Sequence, residues 1–258
     1  MISCRDLSVT LPAASGPVHI LADVHLDVGE GEFVSVLGAS GSGKTTLLRV
    51  LGGLQPATAG SVSCDGTPID GPANGVVTVF QDYANSLLPW RSVRRNVALG
   101  IEQQLGKPER DARVDEALDM VGLLERADDY PAQLSGGMQQ RVQIARALAM
   151  RPRVLLMDEP FGALDAMTKA TLQDQLQGVH AATGATIVFV THDIEEAVYL
   201  SDRVVVLSGR PANVGLTLDV ALPRPRNQVS TKEDQEYLHL RHKVYEALGH
   251  DVGEQAHA

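Results

Sequence analysis

The segment Gly38-Ala39-Ser40-Gly41-Ser42-Gly43-Lys44-Thr45 constrains this chain more than any other. It follows Phe33-Val34-Ser35-Val36-Leu37, an apolar run of strand length, and leads into a helical pattern from about Gly43 to Leu51. Strand, glycine-rich turn and helix in that order make a phosphate-binding loop. Glycines let backbone N–H groups converge on phosphate oxygens, and the helix N-terminus adds partial positive charge. Lys44 supplies a cation for β- and γ-phosphates, Thr45 a hydroxyl for Mg²⁺, and Thr46 support for the turn.

The rest of the chain reads as an α/β protein around that loop. Ile20, Ala22, Val24, Leu26 and Val28 alternate with mostly polar residues, the period of a half-buried strand, and two N-terminal strands are expected. Val76–Phe80, Val154–Met157, Thr186–Val190 and Val204–Leu207 are short apolar runs suited to a parallel sheet with helices between its strands. No strand-like run lies between about 82 and 151, where Arg110–Leu124 and Gly136–Met150 carry helical periodicity. That predicts an inserted helical subdomain. A tail helix is expected at about 232–248, and 258 residues suit one domain spanning 1–258.

Charge and cysteines narrow the function. A formal charge of −10 disfavours non-specific adhesion to nucleic acid. Cys4 and Cys64 are too few and too far apart for a metal cluster. Met1 to Asp6 lacks the basic start of a leader, and the longest apolar runs are strand-sized, so the chain is not expected to cross a membrane by itself.

Two further segments carry chemistry. Val154-Leu155-Leu156-Met157-Asp158-Glu159 is an apolar strand ending in two carboxylates, with Asp158 placed for Mg²⁺ and Glu159 for the water that attacks the γ-phosphate. Leu134-Ser135-Gly136-Gly137-Met138-Gln139-Gln140-Arg141 opens a helix with a second anion-binding terminus, about ninety residues beyond the first. One nucleotide does not need both within one subunit.

At this segment the sequence resembles the ABC ATPase family, whose signature is LSGGQ; Met138 stands where that family usually has glutamine. The resemblance implies an α/β P-loop NTPase core of the RecA-like kind, with an N-terminal antiparallel β subdomain and the inserted α-helical subdomain. It implies ATP and Mg²⁺ as ligands and a head-to-tail homodimer, in which Ser135, Gly136 and Gly137 of one copy cap the γ-phosphate held by the other copy's Gly38–Thr45 loop. Gln81 matches the family's Q-loop glutamine, which senses Mg²⁺ or the lytic water. Phe161-Gly162-Ala163-Leu164-Asp165 looks like the D-loop, with Asp165 reaching across the dimer, and His192 in Thr191-His192-Asp193 looks like the switch histidine. The family's usual adenine-stacking aromatic is missing, because Phe33 is the only aromatic residue before Lys44; Leu11, Pro12 or Val18 are the expected apolar substitutes.

Leu87-Leu88-Pro89-Trp90, Glu-Pro-Phe-Gly-Ala-Leu-Asp-Ala at 159–166 and Pro223-Arg224-Pro225-Arg226 resemble bacterial importer ATPases of the nitrate, taurine and alkanesulfonate group. That likeness implies a subunit peripheral to the cytoplasmic face of the inner membrane. It would drive a separate permease fed by an extracytoplasmic solute-binding protein, with Leu87, Leu88, Pro89 and Trp90 as permease contacts, Trp90 serving equally well as subdomain core. The rival reading, an ABC ATPase acting on nucleic acid or ribosomes, needs a long coiled coil or a second cassette, and the spacing from Lys44 to Ser135 has no room for the first.

Overall fold

The computed structural model describes residues 1–14, 16–81, 86–162 and 164–255, the last six by backbone alone. A four-stranded antiparallel sheet has the order β2 (Gly16–Val28), β1 (Ile2–Ala13), β4 (Ala59–Cys64), β5 (Thr67–Pro68). A six-stranded sheet has the order β10 (Asn213–Asp219), β9 (Arg203–Ser208), β3 (Phe33–Gly38), β8 (Thr186–Val190), β7 (Val154–Asp158), β6 (Val76–Val79). Its strands β9, β3, β8, β7 and β6 run parallel, and β10 folds back on β9 as an antiparallel hairpin.

Alternating side chains of the large sheet enter two different cores. Phe33, Leu37, Leu155, Met157, Ile187, Phe189, Val204 and Val206 point into a helical layer, made with α2 (Val93–Ala98), α3 (Lys107–Met120), α4 (Gly136–Ala149), α5 (Ala166–Thr183), α6 (Ile194–Leu200) and α7 (Gln235–Gln255). Val34, Val36, Val154, Leu156, Val188, Val190, Val205 and Leu207 point to the opposite face, against the antiparallel sheet and α1 (Lys44–Leu51). A strand covered on both faces has no polar side to show, which is why β3, β7 and β8 are buried throughout and read as continuous apolar runs. Each fully buried valine, leucine or phenylalanine contributes about 1.5–3 kcal/mol.

The structure extends the sequence reading in three places. The antiparallel sheet recruits β4 and β5 from beyond α1, pairing Cys64 with Ile2, because this edge is set by a contact distant in sequence and not by the weakly apolar run Ala59–Cys64. The helix expected from Arg110 begins at Lys107, with a proline in its first turn, and ends at Met120, just before Gly122 takes a φ of 65°. The tail helix starts at Gln235 and extends to Gln255. Among the described residues no helix is long and apolar enough to cross a membrane.

The register across β6, β7, β8 and β3 brings their C-terminal ends to one edge. Val79 lies opposite Met157, Asp158 opposite Val190, and Val190 opposite Val36. The residues that follow these ends, namely Gln81, Glu159, His192 and the 39–43 loop, therefore emerge together. This is where ligands sit in open parallel sheets.

Candidate active site at the carboxyl edge of the sheet

The loop after β3 is shaped by glycines that have left the ordinary backbone range. Gly41 and Gly43 have φ of 79° and 82°, and a Cβ on Gly43 would come within 2.8 Å of Ile20 and Leu21. Gly43 caps α1 without a side-chain bond, so the first N–H groups of that helix stay available to an anion. Ser42 Oγ is buried and has no hydrogen-bond partner, as expected of a hydroxyl reserved for a ligand. Lys44 is 6% exposed and donates from Nζ to the carbonyls of Gly38 at 2.8 Å and Ala39 at 3.0 Å. Burial lowers its pKa, and the nearby Glu159 and Asp158 oppose that shift.

Thr45 Oγ1 donates to Asp158 Oδ1 at 3.2 Å. Burial raises the Asp158 pKa against the Thr45 bond, a cost that a bound divalent cation would remove. This hydroxyl and carboxylate are the hard oxygen donors that suit Mg²⁺. Two protein oxygens leave the rest of an octahedral shell to phosphate oxygens and water, as suits Mg²⁺ bound with a nucleotide.

Glu159, the residue after β7, lies in the left-handed region, with a φ of 44°. A non-glycine residue there carries backbone strain of about 1–2 kcal/mol. Its N–H donates to Val190 O at 2.9 Å, and its side chain turns toward the loop. Glu159 Oε2 accepts from Gln81 Nε2 at 3.3 Å and lies 3.1 Å from His192 Nδ1. Ser40 to Thr46, Gln81, Glu159, His192 and Ile20 line one cavity of about 670 Å³. That is ample for a nucleotide triphosphate end.

The structure sorts the expected site residues into two groups. Lys44, Thr45, Thr46, Gln81, Glu159 and His192 share the cavity, and Asp158 joins through Thr45. Ser135, Gly136, Gly137 and Asp165 do not line it. Ser135 instead caps α4, accepting from Met138 N at 3.3 Å, and lies exposed. Close packing explains Gly137, where a Cβ would meet Thr168 Cγ2 at 2.6 Å. Asp165 Oδ1 caps α5, accepting from Met167 N at 3.1 Å and Thr168 N at 3.0 Å.

Three expectations change. Leu11, Pro12 and Val18 do not line the cavity; Ile20 does, and it abuts Gly43. Leu11 and Pro12 pair with Val18 and Pro17 toward the tip of the β1–β2 hairpin. Leu87 is 3% exposed and packs in the helical core, which removes it from the surface set. Trp90 is 71% exposed, so it is not subdomain core. The segment carrying it is pinned from within. Asn96 exchanges hydrogen bonds with the Leu88 backbone at 2.8 and 3.0 Å, and Arg146 donates to Ser86 O at 2.8 Å and Asn96 O at 3.0 Å. This Asn96–Arg146 pair, which sequence reasoning missed, joins α4 to the turn presenting Trp90.

Comparison with known proteins agrees with this geometry. The family model described as ABC transporter matches residues 21–162. The nitrate import ATP-binding protein NrtC of Synechococcus elongatus is 47% identical over 232 residues, which cover 88% of this chain and 35% of NrtC, so the chain spans about a third of that relative. The nitrate transport protein NasD of Klebsiella oxytoca is 45% identical over 253 residues and covers 96% of both chains. Among solved structures, the dimeric post-hydrolysis state of the ATP-binding cassette MJ0796, bound to ADP and Pi, superposes with a TM-score of 0.74 at 33% identity, covering 85% of this chain and 99% of that one. A family match over more than half of the sequence, on a phosphate loop and carboxylate edge of this geometry, shows that the chain belongs to the ABC transporter family.

Proposed function

We propose that this chain is the ATP-hydrolysing subunit of an importer, working as a symmetric pair on a separate permease for a small anion. The observation that carries the reading is Glu159 Oε2 held between Gln81 and His192 over the mouth of the phosphate loop. Relatives across nearly the whole length are described as nitrate transport proteins, which supports an importer over a nucleic-acid or ribosome motor. No described helix between Lys44 and Ser135 exceeds the 14 residues of α3, so no described coiled coil interrupts that interval.

The chemistry follows from the placed charges. Lys44 leaves its loop carbonyls for β- and γ-phosphate oxygens, while the N–H groups of the loop and of the α1 start bind the rest. Mg²⁺, held by Thr45 and Asp158 with Gln81 nearby, would neutralise charge between β- and γ-phosphates. Glu159 accepts the proton of the attacking water, and His192 and Gln81 fix its carboxylate and the γ-phosphate side of the cavity. Ser135, Gly136 and Gly137 do not line their own chain's cavity; the exposed Ser135 and the half-buried Gly136 start a helix that would cap the γ-phosphate of a second copy, with the buried Gly137 letting that helix pack against Thr168.

A mixing experiment tests the pair. Lys44→Ala and Ser135→Arg chains should each lack turnover, yet an equimolar mixture should regain up to about a quarter of the wild-type rate, since half of random dimers hold one intact composite site. A mixture as inactive as its components would refute the shared site.

The permease contact narrows to Leu88, Pro89 and Trp90. An exposed tryptophan on a pinned turn has the character of an interface anchor. Trp90→Ala should weaken binding of the detergent-solubilised permease by roughly 10–100-fold. Undiminished binding would place the contact elsewhere.

A further inference from the structure

The loop bearing His192 is held from both sides by a network that the proposed chemistry does not use. Asp193 caps α6 with Oδ1, accepting from Glu195 N at 2.9 Å and Glu196 N at 3.3 Å, while its Oδ2 takes Lys169 Nζ at 3.0 Å. Lys169 Nζ also reaches Glu196 Oε1 at 2.9 Å. Glu196 is 3% exposed, and its other oxygen accepts from Thr191 Oγ1 at 2.5 Å. Thr191 Oγ1 in turn accepts from Asp193 N at 3.0 Å. Thus the residues on either side of His192 are tied to one ammonium. That ammonium stands in the first turn of α5, where Lys169 N donates to Asp165 O at 2.9 Å.

We propose that Lys169 is a positioning residue for His192, fixing its loop against Glu159 and linking it to the α5 turn that Asp165 begins. The inference rests on the reading of Glu159 and His192 given above. A buried carboxylate such as Glu196 also needs a counter-charge simply to fold, so neutralisation and positioning have to be separated. His192 is largely exposed, with its side chain 62% accessible, and beyond the Glu159 contact its place depends on its neighbours' bonds. A displacement of the loop by about 1 Å lowers a rate by up to about 100-fold without touching substrate affinity.

The test measures ATP turnover of the full-length chain, alone and with its permease. Lys169→Met should lower kcat about 10–100-fold with KM for ATP within about threefold, and Lys169→Arg should keep kcat within about threefold of wild type. Lys169→Met/Glu196→Gln removes the ammonium together with its buried carboxylate, leaving only the part-exposed Asp193 charged; it should fold even where the single variant does not, and should remain as slow. Turnover by Lys169→Met within threefold of wild type would overturn the proposal, as would restoration of turnover in the double variant, since neutralisation would then be the whole role of Lys169. A wild-type chain that does not hydrolyse ATP would overturn the underlying site reading as well, whereas a wild type that does, matched by its variants, overturns the Lys169 assignment alone.

Discussion

Glu159→Gln should reduce ATP turnover by about 10²–10⁴-fold while leaving ATP binding intact, and should accumulate an ATP-bound dimer. The amide has the size of the carboxylate and can still bond Gln81 or His192, so the geometry around it persists. What it lacks is the capacity to take a proton from water. Without hydrolysis the closed pair reopens only by releasing ATP, and in excess ATP mass action holds the population in the bound dimer. Phosphate release reads the first effect, and gel filtration in ATP and Mg²⁺ reads the second. Wild-type phosphate release from the variant would remove Glu159 as the base. The strained φ of Glu159 sharpens the expectation, because a backbone held in the left-handed region fixes where its carboxylate points.

Arg226→Met should destabilise the fold by about 2–4 kcal/mol, which lowers the Tm by roughly 5–15 °C in a domain of this size. Arg226 is 7% exposed and donates from Nη1 to the carbonyls of Val198 at 3.3 Å, Tyr199 at 2.8 Å and Ser201 at 2.8 Å. These close the C-terminus of α6, where the helix dipole favours a cation. Burial, then the neighbouring Arg224, pushes its pKa down to about 10, so it stays charged at neutral pH. Arg224 adds a bond to Leu200 O at 2.8 Å and a salt bridge to Asp202. A methionine fills the space but leaves those carbonyls unpaired in an apolar layer. Calorimetry of the two proteins decides: a Tm unchanged within about 2 °C would show that water or Arg224 caps α6 well enough alone.

These two residues mark what the sequence makes legible and what it does not. Asp158 with Glu159, and the glycine loop, can be read because the pair and the loop each sit at the end of an apolar strand, so local pattern gives both the element and the edge from which the side chain emerges. The sheet strands are legible for the same reason, since burial on both faces leaves uninterrupted apolar runs. Arg226 reads only as part of a Pro-Arg tail; that it closes a helix 25 to 28 residues earlier is a fact of tertiary packing. Lys169 is one more charged residue in a helical pattern until the fold sets it beside Glu196. Ile20 and Val18 are two positions apart on β2 and alike in sequence, and only the folded structure shows that Ile20 abuts Gly43 and lines the cavity. Leu87 and Trp90 are equally apolar in sequence, and only the packing of the helical layer sends one inward and the other out.

The division of the large sheet into two cores has a mechanical outcome. The lysine loop and its helix are anchored in one core, and the helix tip with Ser135 belongs to the other, with a wall of hydrogen-bonded strands between them. Under the proposed pairing, a shift of α4 relative to the sheet would carry Ser135 toward or away from a twin molecule while the lysine loop, anchored in the other core at the carboxyl edge of the strands, keeps its shape.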